Sequence, residues 1–220
     1  ILIMKKHAVI LLMAGSSHRF KGAKPKQFID LHGLPLYQHS LSRFIECGFD
    51  QICLVCPKSY INKVEGPFNI VEGGNTRQES VLKGLKALRS DIELVTIHDA
   101  ARALVSIKLI QKHKKAAQSH RAITTVVPVN DTIYQISKQE ISSTFNRDSL
   151  KIGQTPQTFN RQTLEKAHQE FLGQATDDAM MVHKLGQTIH LIEGDPNNFK
   201  ITHPKDLALA KLILNKKSVL

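Results

Sequence analysis

A chain of 220 residues at 41% hydrophobic is long enough to bury a substantial core and fits one domain, read as residues 4–215. Lys and Arg outnumber Asp and Glu by 30 to 19, a formal net charge of +11 that attracts polyanions, whether nucleic acid, membrane surfaces or phosphorylated small molecules. Aromatic content of 5% without Trp argues against a single-strand stacking platform, and no apolar run approaches a membrane span.

No signal-type leader is read before the first apolar run, and Ile1-Leu2-Ile3 are left out of the fold reading, so the expectation is a soluble cytoplasmic chain. That first run, Ala8 to Met13, predicts a buried strand that empties into Ala14-Gly15-Ser16-Ser17. A loop of small residues lets backbone N–H groups approach a ligand closely, and phosphates are the usual guests. Arg19, Lys21, Lys24 and Lys26 follow, so the loop reads as a triphosphate cradle, with an ordinary basic surface loop as the plainer alternative. It fits neither the Walker spacing nor the dinucleotide Gly-x-Gly-x-x-Gly fingerprint.

A helical pattern from Leu36 to Cys47 precedes a second apolar run at 51–56. Cys53 and Cys56 within it have the spacing of a redox or metal pair, but strand side chains three apart point to opposite faces. With one further cysteine, Cys47, no zinc set can be completed, and these read as core thiols. None of the eleven histidines has a ligand spacing. After a short strand at 69–71, Gly73-Gly74 turns into a helix over Thr76 to Leu88, capped by Asn75 or Thr76.

The strand at 93–97 ends in His98-Asp99-Ala100-Ala101-Arg102. An aspartate at the carboxyl end of a strand beside a phosphate loop suits Mg²⁺, which takes one or two carboxylates plus substrate phosphates; a turn or helix cap is the alternative. Lys108 to Arg121 reads as a helix with a solvated basic face that includes Lys112, His113, Lys114 and Lys115. A strand at 122–129 leads to residues 130–150, where β-propensity flanks a Ser137-Lys138-Gln139-Glu140 turn. The pattern predicts a projecting hairpin arm, which packs either on a second subunit or on its own chain. A helix over Arg161 to Leu172, a strand at 188–192, the loop Glu193 to Thr202 and a helix from Pro204 to Leu214 complete the chain. Strands alternating with helices imply an α/β, Rossmann-like, mostly parallel sheet with helices on both faces and ligands at the carboxyl ends of its strands.

Taken in order, several blocks carry a resemblance: Ala-Gly-Ser-x-x-Arg-Phe with Pro25-Lys26-Gln27, Gly73-Gly74-x-x-Arg77-x-x-Ser80, His98-Asp99-Ala100-Ala101-Arg102, Pro128-Val129-x-Asp131-Thr132, Asn146-Arg147, Gln154-Thr155-Pro156-Gln157, Thr176-Asp177-Asp178 and Lys200-Ile201-Thr202-x-Pro204. Together they resemble the 2-C-methyl-D-erythritol 4-phosphate cytidylyltransferase family, over nearly the whole chain. The resemblance implies a nucleotidyltransferase fold, a homodimer through the 130–150 arm, Mg²⁺, and the substrates CTP and 2-C-methyl-D-erythritol 4-phosphate, with no nucleic-acid or membrane partner. Carried over residue by residue, transition-state cations fall on Arg19 and Lys26 and the metal aspartate on Asp99. Arg147, offered across the dimer, and Lys200 would position the sugar phosphate. Thr176 would help hold it from the partner subunit. Ala14, Gly15, Gly74, Asn75 and Ser80 would recognise the cytidine, while Arg102 and Thr132 line the site. Asn197 stands where a second metal carboxylate would be sought, so Asp99 is the one metal candidate. A ribitol-5-phosphate cytidylyltransferase shares this nucleotide loop, and a basic nucleic-acid-binding protein is the alternative from another class.

Overall fold

A computed structural model describes residues 4–15, 20 and 24–217. In chain order the elements are β1 (His7–Leu12), a small hairpin of β2 (Asp30–Leu31) and β3 (Leu34–Pro35), α1 (Leu36–Glu46), β4 (Gln51–Cys56), β5 (Asn69–Glu72), α2 (Arg77–Lys86), β6 (Leu94–Asp99), α3 (Ile107–Ala116) and β7 (Ala122–Pro128). There follow β8 (Tyr134–Ser137), β9 (Glu140–Thr144), β10 (Lys151–Asn160), α4 (Arg161–Glu170), α5 (Asp178–Lys184), β11 (His190–Glu193) and α6 (Pro204–Lys217).

Seven strands form one sheet in the order β11-β7-β10-β6-β1-β4-β5. β1 explains why the parallel half reads as continuous apolar runs. Ala8, Ile10 and Leu12 pack on one face against Val81 and Leu85 of α2 and Leu164 of α4, while Val9, Leu11 and Met13 pack on the other against Leu41 and Phe44 of α1 and Leu109 and Ile110 of α3. A strand buried on both faces has no polar side to alternate with. Cys53 and Cys56 fall in the two opposite layers, as strand alternation requires. The fold is the mixed, mostly parallel sheet with flanking helices that the alternation of strands and helices implies.

β10 is the element the sequence pattern does not predict. It runs antiparallel to both β6 and β7, with its register shifting between Gln154 and Gln157. Its buried residues Gln154, Thr155, Gln157 and Thr158 are polar, and they are tolerated because each is hydrogen-bonded: Gln157, for example, donates to Thr124 Oγ1 at 2.9 Å and to Asp177 Oδ2 at 2.8 Å.

The arm is present. β8 and β9 form a separate two-stranded sheet, turning through Lys138 and Gln139 at φ 49° and 68°, and every residue of both strands is exposed. His113 corrects the sequence reading: it does not belong to a solvated basic face. It lies fully buried on the inner side of α3 with Leu109, Ile110 and Ala117, a helical spacing that places all four on one face.

Candidate active site

The sheet register gathers three loops at one edge. Leu12 pairs with Asp99, Ala100 N–H donates to Leu12 O at 3.0 Å, Met13 N–H to Val55 O at 2.7 Å, and Gly73 N–H to Cys56 O at 2.9 Å. The loops after β1, β5 and β6 therefore converge at the carboxyl ends of the parallel strands. Two cavities open there. One, of about 310 Å³, is lined by Ala14, Gly15, Lys26, Gln27, Gly74, Asn75, Thr76, Ser80 and Ala101 together with Arg77, Asp99 and Lys200. The other, of about 220 Å³, is lined by Arg102, Gly153, Gln154, Thr155, Gln157, Thr176 and Asp177 and by the same Arg77, Asp99 and Lys200.

The Gly73-Gly74 turn is built for close approach. A Cβ on Gly73 would stand 2.2 Å from that of Ala14, so no larger residue lets the two loops meet. Thr76 caps α2 by accepting from Glu79 N–H at 3.1 Å, and Glu79 Oε2 accepts from Asn75 N–H at 2.8 Å, a variant of the reciprocal capping box. Ser80 Oγ accepts from Gly74 N–H at 3.0 Å and donates to Thr76 O at 2.9 Å, so its hydroxyl shapes the wall. On the facing loop, Gln27 Nε2 donates to Gly15 O at 3.5 Å, and Lys26 lies buried beside it with 6% exposure.

Asp99 sits at the end of the central strand β6. Its Oδ2 accepts from Lys200 Nζ at 2.7 Å, and Arg77 Nε stands 3.6 Å from Oδ1. Burial pushes the Asp99 carboxyl up, but Lys200 and Arg77 outweigh it and hold the group well below the usual carboxylate range. Asp99 is therefore a carboxylate at any physiological pH. The neighbouring His98 is structural. Thr155 Oγ1 accepts from Asp99 N–H at 3.0 Å and donates to His98 Nδ1 at 3.1 Å, which leaves His98 Nε2–H to donate to Arg102 O at 3.2 Å. Burial holds His98 neutral, with its pKa lowered to about 4.

Lys200 is delivered by a loop that is pinned on both sides. Asn198, fully buried, donates through Nδ2 to Thr155 O at 2.9 Å and to Gln154 Oε1 at 3.1 Å, and Ile201 N–H donates to Ala101 O at 2.8 Å. Arg102 braces the same loop by donating to Asn198 O at 2.9 Å.

Of the residues singled out in the sequence, Ala14, Gly15, Lys26, Gly74, Asn75, Ser80, Asp99, Arg102, Thr176 and Lys200 line these two cavities. Thr176 lines the smaller cavity of its own chain. Arg147 and Thr132 line neither: both are exposed on the arm, where Arg147 Nη1 donates to Asn130 O at 2.9 Å. Arg19 lies outside the described residues. Asp177 caps α5, its Oδ1 accepting from Met180 N–H at 2.8 Å. The sequence reading assigned no role to Arg77, Thr155 or Asn198, although all three lay in or next to the quoted motifs. Their partners are distant in sequence, and pattern alone does not show them.

The donor set fits a hard divalent cation shared with phosphates. It offers one permanently ionised carboxylate, and among the described residues no cluster of three or more His, Cys, Asp or Glu competes as a protein-only site.

A family model for 2-C-methyl-D-erythritol 4-phosphate cytidylyltransferase matches residues 7–216. The enzyme of that description from Clostridium perfringens is 38% identical over 222 residues, covering 94% of this chain and 98% of the relative. That from Carboxydothermus hydrogenoformans is 34% identical over 229 residues, covering 97% of each. Among solved structures, 2-C-methyl-D-erythritol 4-phosphate cytidylyltransferase from Thermus thermophilus superposes with a TM-score of 0.80 at 32% identity, covering 96% of this chain and 99% of that one.

Proposed function

The chain belongs to the 2-C-methyl-D-erythritol 4-phosphate cytidylyltransferase family, and from that premise we propose that its two adjoining cavities join CTP to 2-C-methyl-D-erythritol 4-phosphate. A phosphate oxygen of the sugar attacks the α-phosphorus of CTP in line. The new P–O bond gives 4-diphosphocytidyl-2-C-methyl-D-erythritol as the bond to the bridging oxygen breaks and pyrophosphate leaves. The observation that carries this reading is the shared border of the cavities. Arg77, Asp99 and Lys200 line both, so a nucleotide held by the loops after β1 and β5 would meet an acceptor held by Arg102 and Thr176 at one charged seam.

The nucleophile is already ionised, so the site needs no strong base. The barrier lies in bringing two polyanions together and in the charge that gathers on the leaving pyrophosphate. Lys26 is buried beside the β1 loop, and Arg19 follows Gly15 closely in sequence; both would neutralise the triphosphate. Lys200, fixed through Asn198, would hold the acceptor phosphate. Backbone and side chains of Ala14, Gly15, Gly74, Asn75 and Ser80 would take the cytidine. Mg²⁺, when bound, would offset the charge on the phosphates, and Asp99 is the carboxylate that would hold it. Thr132 and Arg147 lie on the arm, outside both cavities, and in a cytoplasmic homodimer the arm of a second copy would supply them. Lys26→Ala is expected to lower kcat about a hundredfold while leaving the thermal midpoint within a few degrees, since one preorganised contact to developing charge is worth about 3 kcal/mol. Steady-state pyrophosphate release alongside thermal melting checks this, and near-normal turnover removes Lys26 from the chemistry.

A further inference from the structure

Asp178, the first residue of α5, lines neither cavity, and its side chain is fully buried. A carboxylate out of water is costly unless both oxygens find charged or hydrogen-bonding partners. Oδ1 meets Nε2 of the equally buried His168 at 2.9 Å, and Oδ2 meets Arg77 Nη1 at 2.7 Å. Arg77 is the first residue of α2, directly after the Gly73-Gly74 turn, so this one pair ties the nucleotide wall to the wall that carries Thr176 and Asp177.

The chain of charges continues unevenly. Arg77 stands 3.6 Å from Asp99 Oδ1, too far for a hydrogen bond, whereas Lys200 lies 2.7 Å from Asp99 Oδ2. Among the described residues Asp99 thus has one oxygen hydrogen-bonded, to Lys200, while the other faces Arg77 only across a longer ion pair. A guanidinium carries five N–H donors in a planar fork that matches a carboxylate, so an unrestrained Arg77 would close onto Asp99 and occupy that second oxygen. The pair with Asp178 sits in the drier surroundings and at the shorter distance, and it wins the competition.

We propose that Asp178, oriented by His168, is a positioning residue that holds Arg77 back from Asp99 and so keeps Asp99 Oδ1 open to a divalent cation shared with the nucleotide phosphates. This rests on the reading of Asp99 as the metal carboxylate. Asp178 does its work without touching substrate, and removing the brake frees the arginine to block the metal.

The test is Mn²⁺ binding to the full chain with CTP and no acceptor, followed by the electron paramagnetic resonance signal of free Mn²⁺. Asp178→Asn is expected to weaken Mn²⁺ at least tenfold while changing the KM for CTP less than threefold. Arg77→Met combined with Asp178→Asn is expected to return Mn²⁺ affinity to within threefold of the parent, because no guanidinium remains to collapse. His168→Gln, which preserves the donor to Asp178, is expected to match the parent, and His168→Leu to fall between it and Asp178→Asn. A folded Asp178→Asn with parental Mn²⁺ affinity, or a double variant no better than the single one, overturns the proposal. Should Asp178→Asn fail to melt cooperatively, the double variant decides alone, and a tenfold loss of Mn²⁺ there overturns the proposal. Asp99→Asn is the separate control: if it leaves Mn²⁺ affinity unchanged, the metal reading of Asp99 fails, whatever Asp178 does.

Discussion

Thr125 donates its hydroxyl proton to Pro156 O at 2.7 Å, and that assignment orders a row of hydrogens beneath the sheet. Thr125 Oγ1 must then accept from His113 Nε2–H at 2.8 Å, so neutral His113 accepts at Nδ1 from Thr158 at 3.0 Å. Thr158 in turn accepts from Thr96 at 2.8 Å, and Thr96 from His7 Nε2–H at 2.8 Å. Burial lowers the pKa of both His113 and His7 to about 3. Below the unfolded value near 6.5 the unfolded chain therefore binds protons that the folded one refuses. Stability is full above that value and falls as pH drops from about 6.5 toward about 3. By linkage each of these histidines removes about 2 kcal/mol between pH 6.5 and pH 5, a range in which the deeply lowered Asp99 does not titrate. Urea midpoints are expected to fall between pH 7 and pH 5, and His113→Gln to flatten that slope by about a third, since His7 and the buried His98 still contribute; a parental midpoint that does not move contradicts the row. His113 also shows what was legible. Its place three residues after Ile110 on an amphipathic helix marks it as inward-facing, yet among so many lysines its residue type suggested solvent. The pairing of Arg77 with Asp178 had no local signal, because its members meet only once α2 and α5 are packed.

Among the elements, the doubly covered parallel strands were readable because two-sided burial leaves a continuous apolar run, as in β1 and β4. β10 was not readable. Its interior carries Gln154, Thr155, Pro156 and Gln157, and its burial depends on hydrogen bonds with Thr124, Asp177 and Asn198 that only the folded sheet supplies. The arm was legible as a hairpin because a polar turn separates two β-rich stretches, but its fully exposed strands say nothing by themselves of what they touch. Ile136 and Ile141 are each 58% exposed, an apolar surface that a lone two-stranded ribbon cannot bury. If the arm places Arg147 in the site of a second copy, two dead variants should rescue one another. Coexpressed Lys26→Ala and Arg147→Ala chains form half mixed dimers, each with one intact site, so about a quarter of parental turnover is expected in the mixture. No gain over the separate variants would place Arg147 in its own chain's chemistry.

At the scale of the molecule, the positive charge and the sheet topology converge. Seven strands bring the loops after β1, β5 and β6 to one edge, and the cavities there hold Lys26, Arg77, Arg102 and Lys200 around Asp99. Among the described residues, the quoted blocks other than those of the arm lie along this edge although they are scattered through the chain, which is why their order and spacing were more telling than any one of them. A general polyanion binder has no use for a buried, permanently ionised aspartate set between two cations, whereas transfer between two phosphates does. The measurement that tests this most directly is Mg²⁺-dependent pyrophosphate release from CTP, with 2-C-methyl-D-erythritol 4-phosphate and ribitol 5-phosphate compared as acceptors. Release with the methylerythritol acceptor alone, abolished by chelation, is the predicted result. Release with ribitol phosphate alone would contradict the acceptor, and release with neither would contradict the chemistry assigned to the Asp99 seam.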